Sequence, residues 1–286
     1  MIARLVRRRR WIALTVVGLA IGARAAMAAG LIPCPAMSPA QCAGAAVATV
    51  AAASMAAIAL RALYLAWRTA RAVAALPRVP TSALVRQAAR RLGAGEVVCV
   101  RGRQPTAFCA GLLRPRIYLT PTFDGPELQA VLAHEHAHAR RRDPLRRVLA
   151  RAAGDVLFYL PLASWWADRQ LERSEVAADR AAIGRVGRKA LAAALLSAAA
   201  PPLGQTPGLV SGLAPGMSAF AASADRHADL RSVGHLSTQA RLANLLGEPA
   251  PRRRPSRARL LASLTGTLAA VSVMMCLGHA LIIALL

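Results

Sequence analysis

Three residues of this sequence have the types and the spacing to do metal chemistry: His134, Glu135 and His138. They close the stretch Pro126-Glu127-Leu128-Gln129-Ala130-Val131-Leu132-Ala133-His134-Glu135-His136-Ala137-His138. Leu128, Val131, Leu132 and Glu135 recur at helical spacing, which predicts a helix. Asp124 can cap its start, with Glu127 as the capping-box partner, after a turn at Gly125-Pro126. On that helix His134 and His138 are i, i+4. They lie one turn apart on one face and can bind a single metal ion together. Glu135 is about 100° round the helix from His134, close enough to act on water held at the metal. His136 is about 200° round and faces away from that site. The pattern is H-E-x-x-H, in which two histidines hold zinc and the glutamate serves as the base of a hydrolysis.

Such a zinc ion needs a third protein ligand and an open position. Leu171-Glu172-Arg173-Ser174-Glu175-Val176-Ala177-Ala178-Asp179 offers candidates. Glu175 and Asp179 are i, i+4 on a helix, and Glu172 and Glu175 are i, i+3, so each pair shares a face. One carboxylate could be the ligand while another orients a ligand histidine. The alternative is a solvated helix, with Glu172, Arg173, Asp179 and Arg180 as surface pairs.

The elements that must position these groups read as membrane and domain segments. The chain has 286 residues, a net charge of +24 and 56% hydrophobic residues, with Lys189 the only lysine. That charge suits anionic lipid, nucleic acid or a cytoplasmic membrane face, and an arginine-rich genome would produce the same bias. Three stretches have the length of a membrane helix: Trp11 to about Ala29, about Ala43 to Trp67, and Leu260 to Leu286. Arg61 falls near enough to the end of the second to snorkel. Arginines precede the first, follow the second and precede the third, while the loop 30–42 carries no charge. The positive-inside rule therefore places that loop outside and the region between the second and third stretches in the cytoplasm. A cleaved secretory signal ending near Ala26-Met27-Ala28 is the other reading of the first stretch. None of the five cysteines forms a CxxC pair, so no cysteine-based zinc site is indicated. Cys34 and Cys42 share the external loop and could form a disulfide, whereas Cys99 and Cys109 should stay reduced.

The stretch from His134 to Ala182 resembles the BlaR/MecR-type bacterial antirepressor metallopeptidases. The H-E-x-x-H helix is followed by Arg140-Arg141-Arg142-Asp143-Pro144. An aromatic stretch comes next, Phe158-Tyr159-Leu160-Pro161-Leu162-Ala163-Ser164-Trp165-Trp166, and then Glu175-Val176-Ala177-Ala178-Asp179. The metal elements are also similar to those of the HtpX/CAAX-protease-like metallopeptidases. The resemblance extends upstream to strand-like segments at 107–111 and 115–120 and downstream to a closing element at 241–246. It implies Glu175, rather than Glu172, as the third zinc ligand. It also implies a winged-helix repressor of the BlaI/MecI type as the partner. No penicillin-binding sensor domain follows the last apolar stretch of this sequence, so β-lactam sensing is not expected.

These readings combine into a mostly α membrane protein. About three transmembrane helices would surround a cytoplasmic α+β zincin-like metallopeptidase domain with a small β-sheet. Residues 1–67 would form the N-terminal membrane hairpin, 68–259 the zinc metallopeptidase domain and 260–286 the last transmembrane helix. The setting would be the cytoplasmic membrane of a bacterium, with a multi-pass chain and the active site facing the cytoplasm. One Zn2+ per chain would be held by His134, His138 and Glu175, with Glu135 as base and Asp179 orienting a ligand histidine. Nothing in the pattern assigns a further oxyanion group; Arg241 and Tyr118 are unsupported candidates. The strand near Phe108 could pair with an extended substrate. The substrate would be a cytoplasmic or membrane-associated protein, cut in regulatory proteolysis. Residues 148–166 cannot span the bilayer, because Glu175 would then be across it from His134. They are expected to form a re-entrant or interfacial hairpin turning near Pro161, or ordinary core. The competing function is a non-catalytic metal-binding membrane scaffold, which would have no need of Glu135. Direct nucleic-acid binding is not expected, since aromatics are 4% of the chain and many arginines flank apolar stretches.

Overall fold

A computed structural model describes residues 39–102, 105–123, 125–199, 218–219, 239–248 and 254–285. The expected metal helix runs Gly125–Arg140. Its expected cap, Asp124, lies outside the described residues. In chain order the elements are α1 (Pro39–Ala74), β1 (Arg78–Val79), α2 (Ala83–Leu92), β2 (Val97–Val100), β3 (Ala107–Ala110) and β4 (Arg116–Leu119). There follow α3 (Gly125–Arg140), α4 (Asp143–Val156), α5 (Pro161–Val186), α6 (Arg188–Ala199) and β5 (Ser218–Ala219). A short helix α7 covers 239–246, and α8 is Arg257–Leu285. The structure is thus mostly helical, with one small mixed sheet.

The chain divides into two compact units. The first comprises, among the described residues, 64–150 and 167–248. Its sheet has the order β1-β2-β4-β3-β5; β2 and β4 are parallel and the other pairs antiparallel. β3 is buried throughout, and its Phe108 stacks on Tyr118 of β4 at 5.1 Å. The β3–β4 turn needs Gly111, whose φ is +110° and whose absent Cβ would lie 2.7 Å from the Arg114 carbonyl oxygen. α2 shows why a short segment is helical here. The Ser82 hydroxyl accepts from the Val85 N–H at its start, Gly93 ends it in the left-handed region, and Val85, Ala88 and Ala89 point inward. α3 is the central element. It packs against α2, α6 and β3, and every residue from Ala130 to His138 is buried. Ile117, Leu119, Leu128, Leu132 and Leu191 are among the fully buried side chains of this core. Its two cysteines, Cys99 and Cys109, are buried.

The second unit comprises residues 39–63, 151–166 and 254–285. Val50 of α1 packs with Met274 of α8. The Ser54 hydroxyl is 3.1 Å from the Tyr159 hydroxyl. The Leu162 N–H donates to Ser263 Oγ at 3.0 Å. Arg61, expected near the end of this helix, is paired with a carboxylate. Its Nε and Nη2 donate to Asp155 Oδ2 at 2.9 and 2.6 Å, a charge-assisted pair.

Among the described residues one segment, Gly44–Ala74, is long and apolar enough to cross a membrane by length and composition. It is longer than the expected Ala43 to Trp67, since Arg68 and Arg71 continue the helix rather than end it. The expected stretch from Trp11 to Ala29, and Cys34 of the suggested disulfide, lie outside the described residues. The expected stretch 260–286 falls on α8, where side chains are described as far as Met274. The segment 148–166 is the end of α4, a tight turn at residues 157–160 and the start of α5 at Pro161. It is a helical hairpin, with proline at the first helical position, where its missing N–H is harmless.

Candidate metal centre

α3 brings His134 and His138 together with ring centroids 4.7 Å apart, both fully buried. Their Nε2 atoms are 3.1 Å apart. α5 brings Glu175 beside them. Its Oε2 is 3.6 Å from His134 Nε2, and its Oε1 is 3.5 Å from His138 Nε2. Ligands about 2.0–2.2 Å from a tetrahedral metal sit about 3.3–3.6 Å from one another, and the separations of 3.1, 3.5 and 3.6 Å are of that size, with a different Glu175 oxygen facing each histidine. These three residues are a group able to hold a metal ion.

The far nitrogens explain why the near ones converge. His138 Nδ1 is 2.8 Å from Asp143 Oδ2, and His134 Nδ1 is 3.0 Å from Asp179 Oδ1. A carboxylate on Nδ1–H fixes the tautomer that leaves the Nε2 lone pair for a metal. Asp143 reaches His138 because Arg142, at φ +53°, turns the chain sharply after α3. Asp179 is in turn gripped by Arg241, whose Nε and Nη2 donate at 2.7 and 2.8 Å. Arg241 Nη1 also lies 3.4 Å from Glu175 Oε2. Arg147 of α4 donates to Glu175 Oε1 and, at 3.0 Å, to Ser174 Oγ.

Burial alone would lower the His134 pKa, but its bonds to Asp179 and Glu175 raise it to about 9. His138 goes the other way: burial outweighs Asp143 and lowers it to about 4. Burial would raise the Glu175 pKa, yet Arg147 and the histidines hold it well below its ordinary value. For Asp179, burial is likewise overcome by His134 and Arg241, and its pKa is lowered. Glu135 is pushed up to about 8, by burial first and by Glu175 next. Both Glu135 carboxylate oxygens are buried with no hydrogen-bond partner among the described residues. That is costly for a carboxylate unless a bound group completes it. The donor set therefore fits a metal with water: two imidazoles and a carboxylate at ligand spacing, beside a carboxylate that meets no donor among the described residues.

A family model, BlaR1 peptidase M56, matches residues 20–211. The chain belongs to this family. The match includes α3, α4 and the ligand-bearing part of α5. The M56 family is one of peptidases, and the His134, His138 and Glu175 group agrees with a metal-dependent one. No curated protein matches the chain.

In this M56 peptidase every expected site residue lies in one cluster: His134, Glu135, His138, Glu175 and Asp179. Glu172 is not part of it; it accepts from Arg169 at 2.7 Å. His136 is buried elsewhere, its pKa lowered by burial and then by Arg185 and Arg140. Tyr118 stacks on Phe108 in the sheet, while Arg241 does enter the site. Asp143 and Arg147 were missed as site residues. Asp143 was visible as part of an Arg-rich turn, and its place five residues after His138 was the available signal. Arg147 offered only its place one helical turn beyond Asp143.

Proposed function

We propose that this M56 peptidase is a membrane-anchored zinc endopeptidase in which His134, His138 and Glu175 hold one zinc ion and Glu135 is the general base. The reading is carried by one observation: two Nε2 atoms and a carboxylate converge at 3.1–3.6 Å beside the unpartnered carboxylate of Glu135. Two imidazoles and one carboxylate suit zinc in an open, catalytic site. Bound there, zinc would supply a Lewis acid and lower the pKa of water. The remaining work belongs to the chain. Asp143 and Asp179 hold the histidine rings. Arg241 holds Asp179. Glu135, raised toward neutrality by burial, takes the proton of the attacking water and delivers it to the leaving amine. The oxygen–carbon bond forms first, with the carbonyl electron pair moving to oxygen, and the carbon–nitrogen bond then breaks as the amine takes the proton.

Gly44–Ala74 supports a bilayer anchor, and the arginine bias supports a cytoplasmic active site. The family supports a protein substrate; a winged-helix repressor of the BlaI/MecI type, cut in regulatory proteolysis, is the candidate. The test is zinc per chain in detergent-purified protein, with Glu175→Ala and Glu172→Ala beside wild type. One zinc in wild type, lost in Glu175→Ala and kept in Glu172→Ala, is expected. Glu135→Gln should keep zinc and lose proteolysis. A folded wild type that takes up no supplied zinc would remove the reading and leave a membrane scaffold in its place.

A further inference from the structure

Arg147 makes more of the site than a salt bridge requires. It is on α4, one turn after Asp143, and its side chain is 14% exposed. Its Nη2 is committed to Glu175 and Ser174. Its Nε is buried and has no acceptor among the described residues. A guanidinium serving only to pair with Glu175 would gain from aiming Nε–H at an acceptor or at water, since a buried unpaired donor costs about 1–3 kcal/mol. Arg241 shows the satisfied alternative, with Nε and Nη2 both on Asp179. The charge of Arg147 acts on Glu135, His138 and Cys109 as well as on Glu175. The guanidinium therefore stands near the base, a ligand and strand β3 together. Beside the metal cluster lie an unpartnered acceptor, Glu135, and an unpartnered donor, Arg147 Nε. A peptide being attacked by water needs both. The attacking water sheds a proton, and the carbonyl oxygen of the peptide gains negative charge.

We propose that the Arg147 Nε–H donates to the carbonyl oxygen of the scissile peptide as that oxygen becomes an oxyanion, while Nη2 holds Glu175. The proposal rests on the hydrolytic reading above and adds a catalytic residue to it. Arg147 acts as a preorganised donor, and the proton traffic stays with Glu135.

The test uses full-length protein in detergent, with Arg147→Lys and Arg147→Met. Lysine keeps a cation for Glu175 and removes the Nε–H. Zinc per chain is measured first. Then come kcat and KM on fluorescein-labelled casein, and the affinity of a tripeptide phosphonamidate, which carries tetrahedral oxyanion geometry. Both variants should hold one zinc. Their kcat should fall about 100- to 1000-fold, the usual effect of removing an oxyanion donor, with KM nearly unchanged. Phosphonamidate binding should weaken by a comparable factor. An Arg147→Lys protein with wild-type kcat and phosphonamidate affinity overturns the proposal and leaves the hydrolytic reading standing. So does loss of zinc from Arg147→Lys, which would make Arg147 a support of Glu175 alone. A wild type that holds zinc but neither cleaves casein nor binds the phosphonamidate strikes the hydrolytic reading itself.

Discussion

His134 and His138 share a face and a carboxylate, yet their protons behave oppositely. Asp179 and Glu175 hold a proton on His134 up to about pH 9, while burial keeps His138 neutral down to about pH 4. A metal must therefore displace a proton from His134 at neutral pH and none from His138. Since the His134 pKa is raised, the proton is bound below about 9 and released above it, so metal affinity should climb with pH and level off near 9. Glu135, raised to about 8, can add a second proton. Calorimetry in buffers of different ionisation enthalpy should find about one to two protons released per zinc at pH 7 and far fewer at pH 10. No release at pH 7 would contradict the assigned bonds. Removing either carboxylate behind the rings, in Asp143→Ala or Asp179→Ala, should weaken zinc binding about 10- to 100-fold, read by competition with a chelator. His134, Glu135 and His138 were legible in the sequence because a single helix sets their spacing. Glu175 and Asp179 were legible as a pair on one helix, and the family resemblance singled out Glu175. Asp143 and Arg147 were not, because their roles depend on the reversal at Arg142 and on the packing of α4 against α5, and no local periodicity encodes either.

At the scale of elements, the site depends on a sheet that the sequence shows only in part. β3 and β4 were visible as segments similar to a family's strands. β1 and β5 are two residues each, too short for the alternation that marks a strand. The hairpin of α4 and α5 was foreseen as an alternative to a crossing segment. The approach of Glu175 to His134, at 3.6 Å, is what requires the chain to return. The β3–β4 connection has the strictest local demand. Gly111 has a φ of +110°, and a Cβ there would press on the Arg114 carbonyl at 2.7 Å. Backbone atoms cannot move aside as a flexible side chain can. Gly111→Ala should therefore destabilise the protein by about 1–3 kcal/mol, seen as a lower thermal midpoint. Zinc content in the surviving folded fraction should stay at one, since Gly111 touches no ligand. A wild-type midpoint would mean the turn adapts freely.

For the molecule as a whole, the question is what holds together a unit whose helices are apolar on most faces. In the bilayer setting proposed above, apolar burial discriminates weakly among such helices, so polar pairs and close approaches must fix the arrangement. Among the described residues of the unit, four contacts are of this kind. They are Arg61 with Asp155, Ser54 with Tyr159, the Leu162 N–H with Ser263, and the approach of Gly266 to the Tyr159 backbone, where a Cβ would collide. The charged pair is the most exacting. Arg61 is 12% exposed, Asp155 is 35% exposed, and Arg61 lies inside the candidate membrane segment. A lone charge there is costly, so the two residues are worth keeping mainly because each neutralises the other. That logic predicts non-additivity. Arg61→Met should destabilise by removing the cation from Asp155, and Asp155→Asn should destabilise by removing the carboxylate that Arg61 donates to. The double variant Arg61→Met/Asp155→Asn should recover part of the loss, with a coupling of about 0.5–3 kcal/mol. The measurement is a double-mutant cycle of thermal unfolding in lipid nanodiscs. The coupling should shrink in detergent if water reaches the pair more easily there. Strictly additive losses in lipid would mean that each residue has another partner of equal value, and that the pair does not fix the hairpin.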